Sequence, residues 1–462
     1  PDGWPQSFDL DLDIAPVEGE TDVLLPVAGP QIRLGGADLT ARFDAARGEG
    51  WQLSGTIEDF RREAVEIDRV ALEGEGVIAR GAGEVSGTLT LDTNGLSLGD
   101  PTVDRTGGPG LAGSLAFEWE RGEPLRLRDI DIGGADYGLT GRMTVEGLEG
   151  AVGLRIAPDV TLAADRLSRF SEISGLDLFG AADLDIEGAL EPLSGTFDLS
   201  LRGTTQDLQT GIAQLDPLLR GTGMVDLVAS RDQQGLRVAP LRIQTDAARI
   251  EANARLGGEN GRVDLEARLT DTGLVLPGLT GATTLTAEAT QEGTAWQVSV
   301  QGDAPGRTSL RYDGTVVPET PAGPRLSGTL NATTGDLSAF SRLAGRRLGG
   351  SITLTATGSA APLEPTFDIE ADATSTDLAL GVPELDRLLR GRTEIVLDAA
   401  LGTDGALDIE TLRLDGQALA GTLDGRVAET GAALDLDLRL ADLGLVVPQF
   451  PGAATVSGTA RS

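Results

Sequence analysis

Residues 433–440 read ALDLDLRL, with Leu434, Leu436, Leu438 and Leu440 separated by Asp435, Asp437 and Arg439. Side chains of an extended strand alternate between two faces, so this period of two puts every leucine on one side and every charge on the other. The same alternation opens the chain. In FDLDLDI (8–14), Phe8, Leu10, Leu12 and Ile14 point one way and Asp9, Asp11 and Asp13 the other. It returns in ADLDIEG (Leu184, Ile186), FDLSLRG (Phe197, Leu199, Leu201) and RVDLEARL (Val263, Leu265), and in the stretches around Leu241 and Ile243, Leu354, Phe367 and Ile369, and Leu412 and Leu414. A slip of one residue would send such a set to solvent, so these residues are expected to line one continuous inward face, together with Leu436 and Leu438.

Between these runs stand isolated glycines, 64 in 462 residues and about twice ordinary usage, with no collagen period. Turn signals at this spacing predict an all-β chain with on the order of 35–40 strands. Only RLSRFSEIS from Arg166, QTGIAQLDPLLRG from Gln209 and PELDRLLRG from Pro383 carry helical spacing. They are too short to stand alone in water and suit the covering of a sheet edge.

A repeat organises the chain. Leu167, Ser168, Phe170 and Ser171 recur as Leu337, Ser338, Phe340 and Ser341, an offset of 170. Pro192, Leu193, Thr196, Phe197 and Asp198 recur as Pro362, Leu363, Thr366, Phe367 and Asp368, and LDPLLRG from Leu215 recurs as LDRLLRG from Leu385. GLVLP from Gly273 matches GLVVP from Gly444 after one inserted residue. The expected organisation is a diverged unit over 1–166, a first copy over 167–336 and a second, shortened copy over 337–462. Such units form a stacked array in which each buries its face by continuing its neighbour. The chain opens at Pro1 without a leader pattern, and no stretch approaches the roughly 18 apolar residues of a membrane helix, so it reads as an excised segment.

Composition removes most chemistry. The net charge is −35, every base is Arg, and the chain has no His, Lys or Cys. That excludes the commonest general base, the thiolate nucleophile, the Walker lysine, zinc held by His or Cys, and disulfides. The acidic balance argues against nucleic acid. No enzyme, cofactor or metal site is expected. Gly95, Ser97 and Gly99 fit a nucleophile elbow, but no histidine exists to serve it, so the stretch reads as a glycine-bounded β segment. Gly74, Gly76 and Ala79 fit a loose dinucleotide pattern without a crossover helix and read as a turn. Asp9, Asp11, Asp13 and Glu20 have calcium-loop spacing, but Ile14 stands where that loop needs Gly, so they read as a solvated acidic face, as do Asp435 and Asp437. Arg346 and Arg347 could touch a phosphate or a lipid headgroup, but read as a solvated pair.

One-sided sheets must hide their aliphatic face in a second sheet, a closed barrel or something that is not protein. A diacyl lipid offers about thirty methylenes at roughly 0.8 kcal/mol each. A gapless lining of Val, Leu, Ile and Ala would carry it across water. The runs LSRFSEISGLDLFGAADLDIEG and LSAFSRLAGRRLGGSITLTATGS, with P-L-x-x-T-F-D, LD(P/R)LLRG and GLV(L/V)P after them, resemble the middle of the TamB family of the AsmA-like, bridge-like lipid-transfer group. The resemblance implies a long twisted β-sheet folded into a taco-like hydrophobic groove with a few short edge-covering helices. It implies a Gram-negative periplasmic location and transport of phospholipid acyl chains between inner and outer membranes. It also implies a role in outer-membrane β-barrel assembly with the outer-membrane protein TamA, through regions outside this segment. The family's membrane anchor and C-terminal domain are expected to lie outside it too. Two rivals stand beside this reading: an adhesin-like β-solenoid scaffold filled by its own side chains, and a chaperone groove that pairs with strands of outer-membrane proteins.

Overall fold

The computed structural model describes residues 5–25, 31–147, 153–258, 260–318, 323–361, 363–429 and 431–461. Pro362, the proline of the second P-L-x-x-T-F-D motif, lies outside them. The protein is all-β. Among the described residues are 28 strands, three short α-helices and five 3-10 turns. The strands run antiparallel, most of them paired with their sequence neighbours. The chain divides into two compact units, the first comprising 1–233 and 240–246, the second 234–239 and 247–462.

The first unit begins with strand Ser7–Ile14 paired to Gly36–Asp44, so that Leu12 faces Leu39 and Leu10 faces Ala41. It then meanders strand by strand to Thr222–Asp232. The second unit meanders from Ala248–Leu256 to Ala454–Arg461. Extensive contacts in each unit join hydrogen-bonded neighbours or the helical turns beside them.

Twenty-eight strands are fewer than the spacing of glycines suggested, and the glycines explain why. Many of them sit inside strands instead of between them. Gly74 and Gly76 lie within Val65–Ala79, a single strand of 15 residues, so the turn expected there is absent. Gly55, Gly141 and Gly188 also lie within strands, with φ of 146°, 134° and 139°. A Cβ on Gly188 would approach the Asp198 carbonyl oxygen of the next strand to 2.1 Å. Glycine here lets a strand curl toward its partner where any other residue would collide with backbone. The expected β segment at 95–99 is reduced to one bridge, Glu66 to Ser97, because Asp104 takes the Ser97 hydroxyl at 2.6 Å and the Leu98 amide at 2.5 Å into a turn.

In a meander, alternate connections share an edge. Among the described residues, all helical insertions fall on one kind of connection. In the first unit they are the helix Pro101–Gly107, the pair Leu167–Phe170 and Ser171–Ser174, and the turn Asp216–Leu218. In the second they are Thr272–Leu274, Leu337–Phe340, the helix Pro383–Leu388 and Leu443–Leu445. Each unit thus has one edge carrying helical turns and an opposite edge that carries none among the described residues. The segment 209–220, read as helical, holds only the 3-10 turn at Asp216–Leu218, whereas its counterpart forms the helix Pro383–Leu388; Pro217, which has no amide to donate, stands where that helix has Arg387.

The backbone devices recur with the sequence repeat. Ser171 and Ser341 each accept the amide of a leucine seven residues on, at 3.0 Å. Asp207 and Asp377 both adopt left-handed φ (50° and 51°) and accept the amides of Gly221 and Gly391. Asp271 and Asp442 each gather two glycine amides, from Gly273 and Gly281 and from Gly444 and Gly452.

Candidate functional site

The candidate site is the apolar face of the strands. In the second unit, directly opposed residues form unbroken rows over thirteen strands. The central row runs Ala252, Leu265, Ala287, Val300, Tyr312, Leu330, Ala356, Ala371, Leu397, Leu412, Leu423, Leu436, Gly458. A row on one side carries Ile250, Leu354, Ile395, Leu414 and Leu438, and one on the other carries Val263, Ile369, Ile409 and Leu434. Phe367 sits one row further out, between Ala360 and Leu401. Small residues face large ones across most rungs, so the lining is filled without crowding. The polar side-chain atom within these three rows is the Tyr312 hydroxyl, which donates to the Ser327 carbonyl at 3.1 Å. Burial pushes its pKa up, so it stays neutral.

The first unit is built alike. One row crosses twelve strands as Leu12, Leu39, Gly55, Leu72, Leu91, Gly113, Ile132, Leu139, Leu162, Leu184, Gly203, Val225. Ile186 faces Val160 and Leu201, and Leu199 faces Gly188 and Ala229. Phe197 faces Leu190 on one side and Arg231 on the other, where the apolar row meets the edge opposite the helical turns. Arg242 pairs with Asp226, which also holds Arg202, so Arg242 lies on the polar face and its neighbours Leu241 and Ile243 turn to the apolar one.

All sixteen residues expected on this face are half-buried, and none is fully buried. Their alternate neighbours are mostly exposed, including Asp183, Asp185, Asp198, Asp368, Arg413, Asp435 and Asp437. The sixteen are not equivalent. Leu184 packs against a core of Ala164, Leu167 and Ala182, while Leu414 and Leu438 pack against one of Leu378, Leu388, Leu389 and Leu419. These cores lie beneath the helical turns, which fold onto the apolar face along one edge.

An aromatic section went unanticipated. Phe8, Phe43, Trp51 and Phe117 fall in one row, with Gly76 and Gly87 between Trp51 and Phe117. Three strand spacings are about 14 Å, yet the Trp51 and Phe117 rings meet at 5.9 Å across the two glycines. Trp51 Nε1 donates to the Ser86 carbonyl at 3.1 Å, and a Cβ on Gly87 would come within 2.4 Å of its ring. The legible signal was Phe8 in the alternating FDLDLDI; Trp51 needed its cross-strand glycines to be known.

The opposite face is ionic. Arg262 donates to Asp264 at 2.8 Å, and that hydrogen bond holds the Asp264 carboxyl below the ordinary range. Arg311 and Ser299 do the same for Asp313, the arginine being the larger cause. Asp9, Asp11 and Asp13 stand exposed along one strand, Asp9 bonded to Arg42 at 3.2 Å. Among the described residues no group of three carboxylates is arranged to hold a metal ion, and no helix is long and apolar enough to cross a membrane.

No protein-family model matches the chain, and no curated protein does either.

Proposed function

We propose that this chain is a lipid-carrying segment of a periplasmic bridge of the TamB kind, in which phospholipid acyl chains move along the apolar strand face while headgroups stay in water. The observation that carries the reading is continuity. Thirteen consecutive strands of the second unit present three registered rows without a charged side chain. A sliding acyl chain gains roughly 0.8 kcal/mol for each methylene sheltered, provided no rung forces it past an ion.

Half-burial of the lining supports this reading over the scaffold. A solenoid filled by its own side chains would bury Leu199, Leu265, Leu412 and Leu436, and all four stay half-exposed. The role is non-enzymatic; association with TamA and outer-membrane assembly belong to the same proposal. The test is native mass spectrometry of the purified chain. Co-purified phospholipid, displaced by added lipid of another chain length, is the expected result. A lipid-free protein that takes up no phospholipid from vesicles sinks the conduit.

A further inference from the structure

On the helix-bearing edge of the second unit, the segments 341–350 and 381–390 lie against each other. A Cβ on Gly381 would stand 2.9 Å from the Arg347 carbonyl oxygen and 3.7 Å from the Arg346 Cβ. The turn at Gly278 abuts the same place, 3.2 Å from the Leu343 amide nitrogen by the same measure. Arg342, Arg346, Arg347 and Arg390 are exposed there, and no ion pair engages them among the described residues. The nearby carboxylates are already committed. Asp386 accepts the Leu380 amide at 2.7 Å, Asp377 the Gly391 amide at 3.0 Å, and Glu384 lies 3.8 Å from Arg387. Beside the free arginines, Leu343 is 46% exposed and Val382 and Leu385 are each 39% exposed.

The first copy shows that the fold does not require this. At 171–180 and 211–220 it carries one Arg and three acids, 1 − 3 = −2, where the second carries five Arg and two acids, 5 − 2 = +3. Glu172, Leu176 and Asp177 stand where the second copy has Arg342, Arg346 and Arg347. In a chain of net charge −35 this is a local reversal of sign. An acidic peptide would satisfy the arginines and leave the aliphatics wet. An anionic bilayer satisfies both, with phosphates for the guanidiniums and an interface for Leu343, Val382 and Leu385.

We infer that this edge of the second unit docks on an anionic lipid bilayer surface, independently of whether acyl chains travel along the strand face. The test is sedimentation of the 462-residue chain with vesicles of phosphatidylcholine containing phosphatidylglycerol, and with phosphatidylcholine alone. Binding is expected to the first only, weakening with salt. Replacing the arginines by the first copy's residues, Arg342→Glu, Arg346→Leu and Arg347→Asp together, should lower partition by at least about a hundredfold, since each basic residue near such a surface contributes about fivefold. Far-UV circular dichroism and the melting temperature report whether that variant is folded. The triple Arg→Lys variant keeps the charge and should bind as the parent does. Equal binding to neutral vesicles, or full binding by a folded Glu/Leu/Asp variant, overturns the proposal. So does displacement by inorganic phosphate beyond that by chloride at equal ionic strength, or capture of a Glu-rich peptide without any vesicle partition.

Discussion

Residues 167–232 and 337–401 share their strand pairing and differ in their edge helices and in what they show to solvent. Strands Phe179–Glu191 and Gly349–Ala361 have the same length and the same early irregularity in pairing, as do their partners Thr196–Gln209 and Thr366–Ala379. The serine, aspartate and glycine contacts that shape the edge turns are kept pair for pair. Yet Glu172 becomes Arg342, Asp177 becomes Arg347, and the exposed Phe179 becomes Gly349. What is common is what geometry demands: an amide acceptor at a tight turn, a glycine where backbones touch, an aliphatic residue on the sheltered face. What differs is free of those demands, and so is available for binding.

The sharpest way to break this comparison is a charge on the shared apolar face. Leu199 and Ile369 are equivalent positions, opposed to Gly188 and Gly358. Both are half-buried, so an aspartate there reaches water while no lipid is present. Leu199→Asp and Ile369→Asp should therefore accumulate as folded protein. Once acyl chains displace that water, the unpaired ion costs several kcal/mol, and each 1.4 kcal/mol on the barrier slows passage tenfold. Lipid exchange between vesicles, or outer-membrane lipid supply in cells, should fall by two or more orders of magnitude for both. The outward changes Asp198→Arg and Asp368→Arg should be tolerated. If the inward variants carry lipid normally, the face is not a conduit; if they fail to fold, it is a packed core.

A smaller effect is expected at the glycines opposite them. A Cβ on Gly188 or Gly358 would lie 2.1 Å from the carbonyl oxygen of Asp198 or Asp368. Gly188→Ala and Gly358→Ala should each cost about 1–3 kcal/mol of stability, read from urea unfolding. Equal costs mean that the two strands curl for the same reason. A cost in one copy alone would mean that the shared strand register hides different packing.

The sequence made the alternation legible because a period of two is a local property: Leu184, Leu199, Leu265 and Leu436 could be assigned a face without knowing any neighbour. Strand number was not legible. Gly76 and Gly188 look like turn residues until the next strand is seen to need their missing Cβ, and that neighbour is set by cross-strand register. The helix Pro101–Gly107 lacked helical spacing that stood out, and its neighbouring turn is tied by Asp104 to Ser97. The arginines of 342–347 were visible as a pair but not as a patch. It takes the fold to bring the segment 381–390, with Arg390, against them.

The smallest expected effect separates the two copies by pH. Asp271 and Asp442 close equivalent turns, 171 residues apart, each by accepting two glycine amides. Those hydrogen bonds, first from Gly281 and Gly452 and then from Gly273 and Gly444, hold both carboxyls below the ordinary aspartate range. A carboxylate whose pKa is lower in the folded state contributes stability that is present above the unfolded value of about 3.9 and is lost as pH falls through the folded one. Both turns should thus weaken only in acid. Asn keeps an acceptor oxygen at the same place but has no charge to lose, so Asp271→Asn and Asp442→Asn should each lower the melting temperature slightly at neutral pH and flatten its fall below about pH 4. The second turn offers an internal control, because strand Ala454–Arg461 after it is largely exposed whereas Thr283–Glu292 after the first is hydrogen-bonded on both sides. Hydrogen exchange at Gly281 and Gly452 should therefore show the Asp442 turn opening at a higher pH than the Asp271 turn. Identical opening would mean that the caps act alone and the flanking strands lend them nothing.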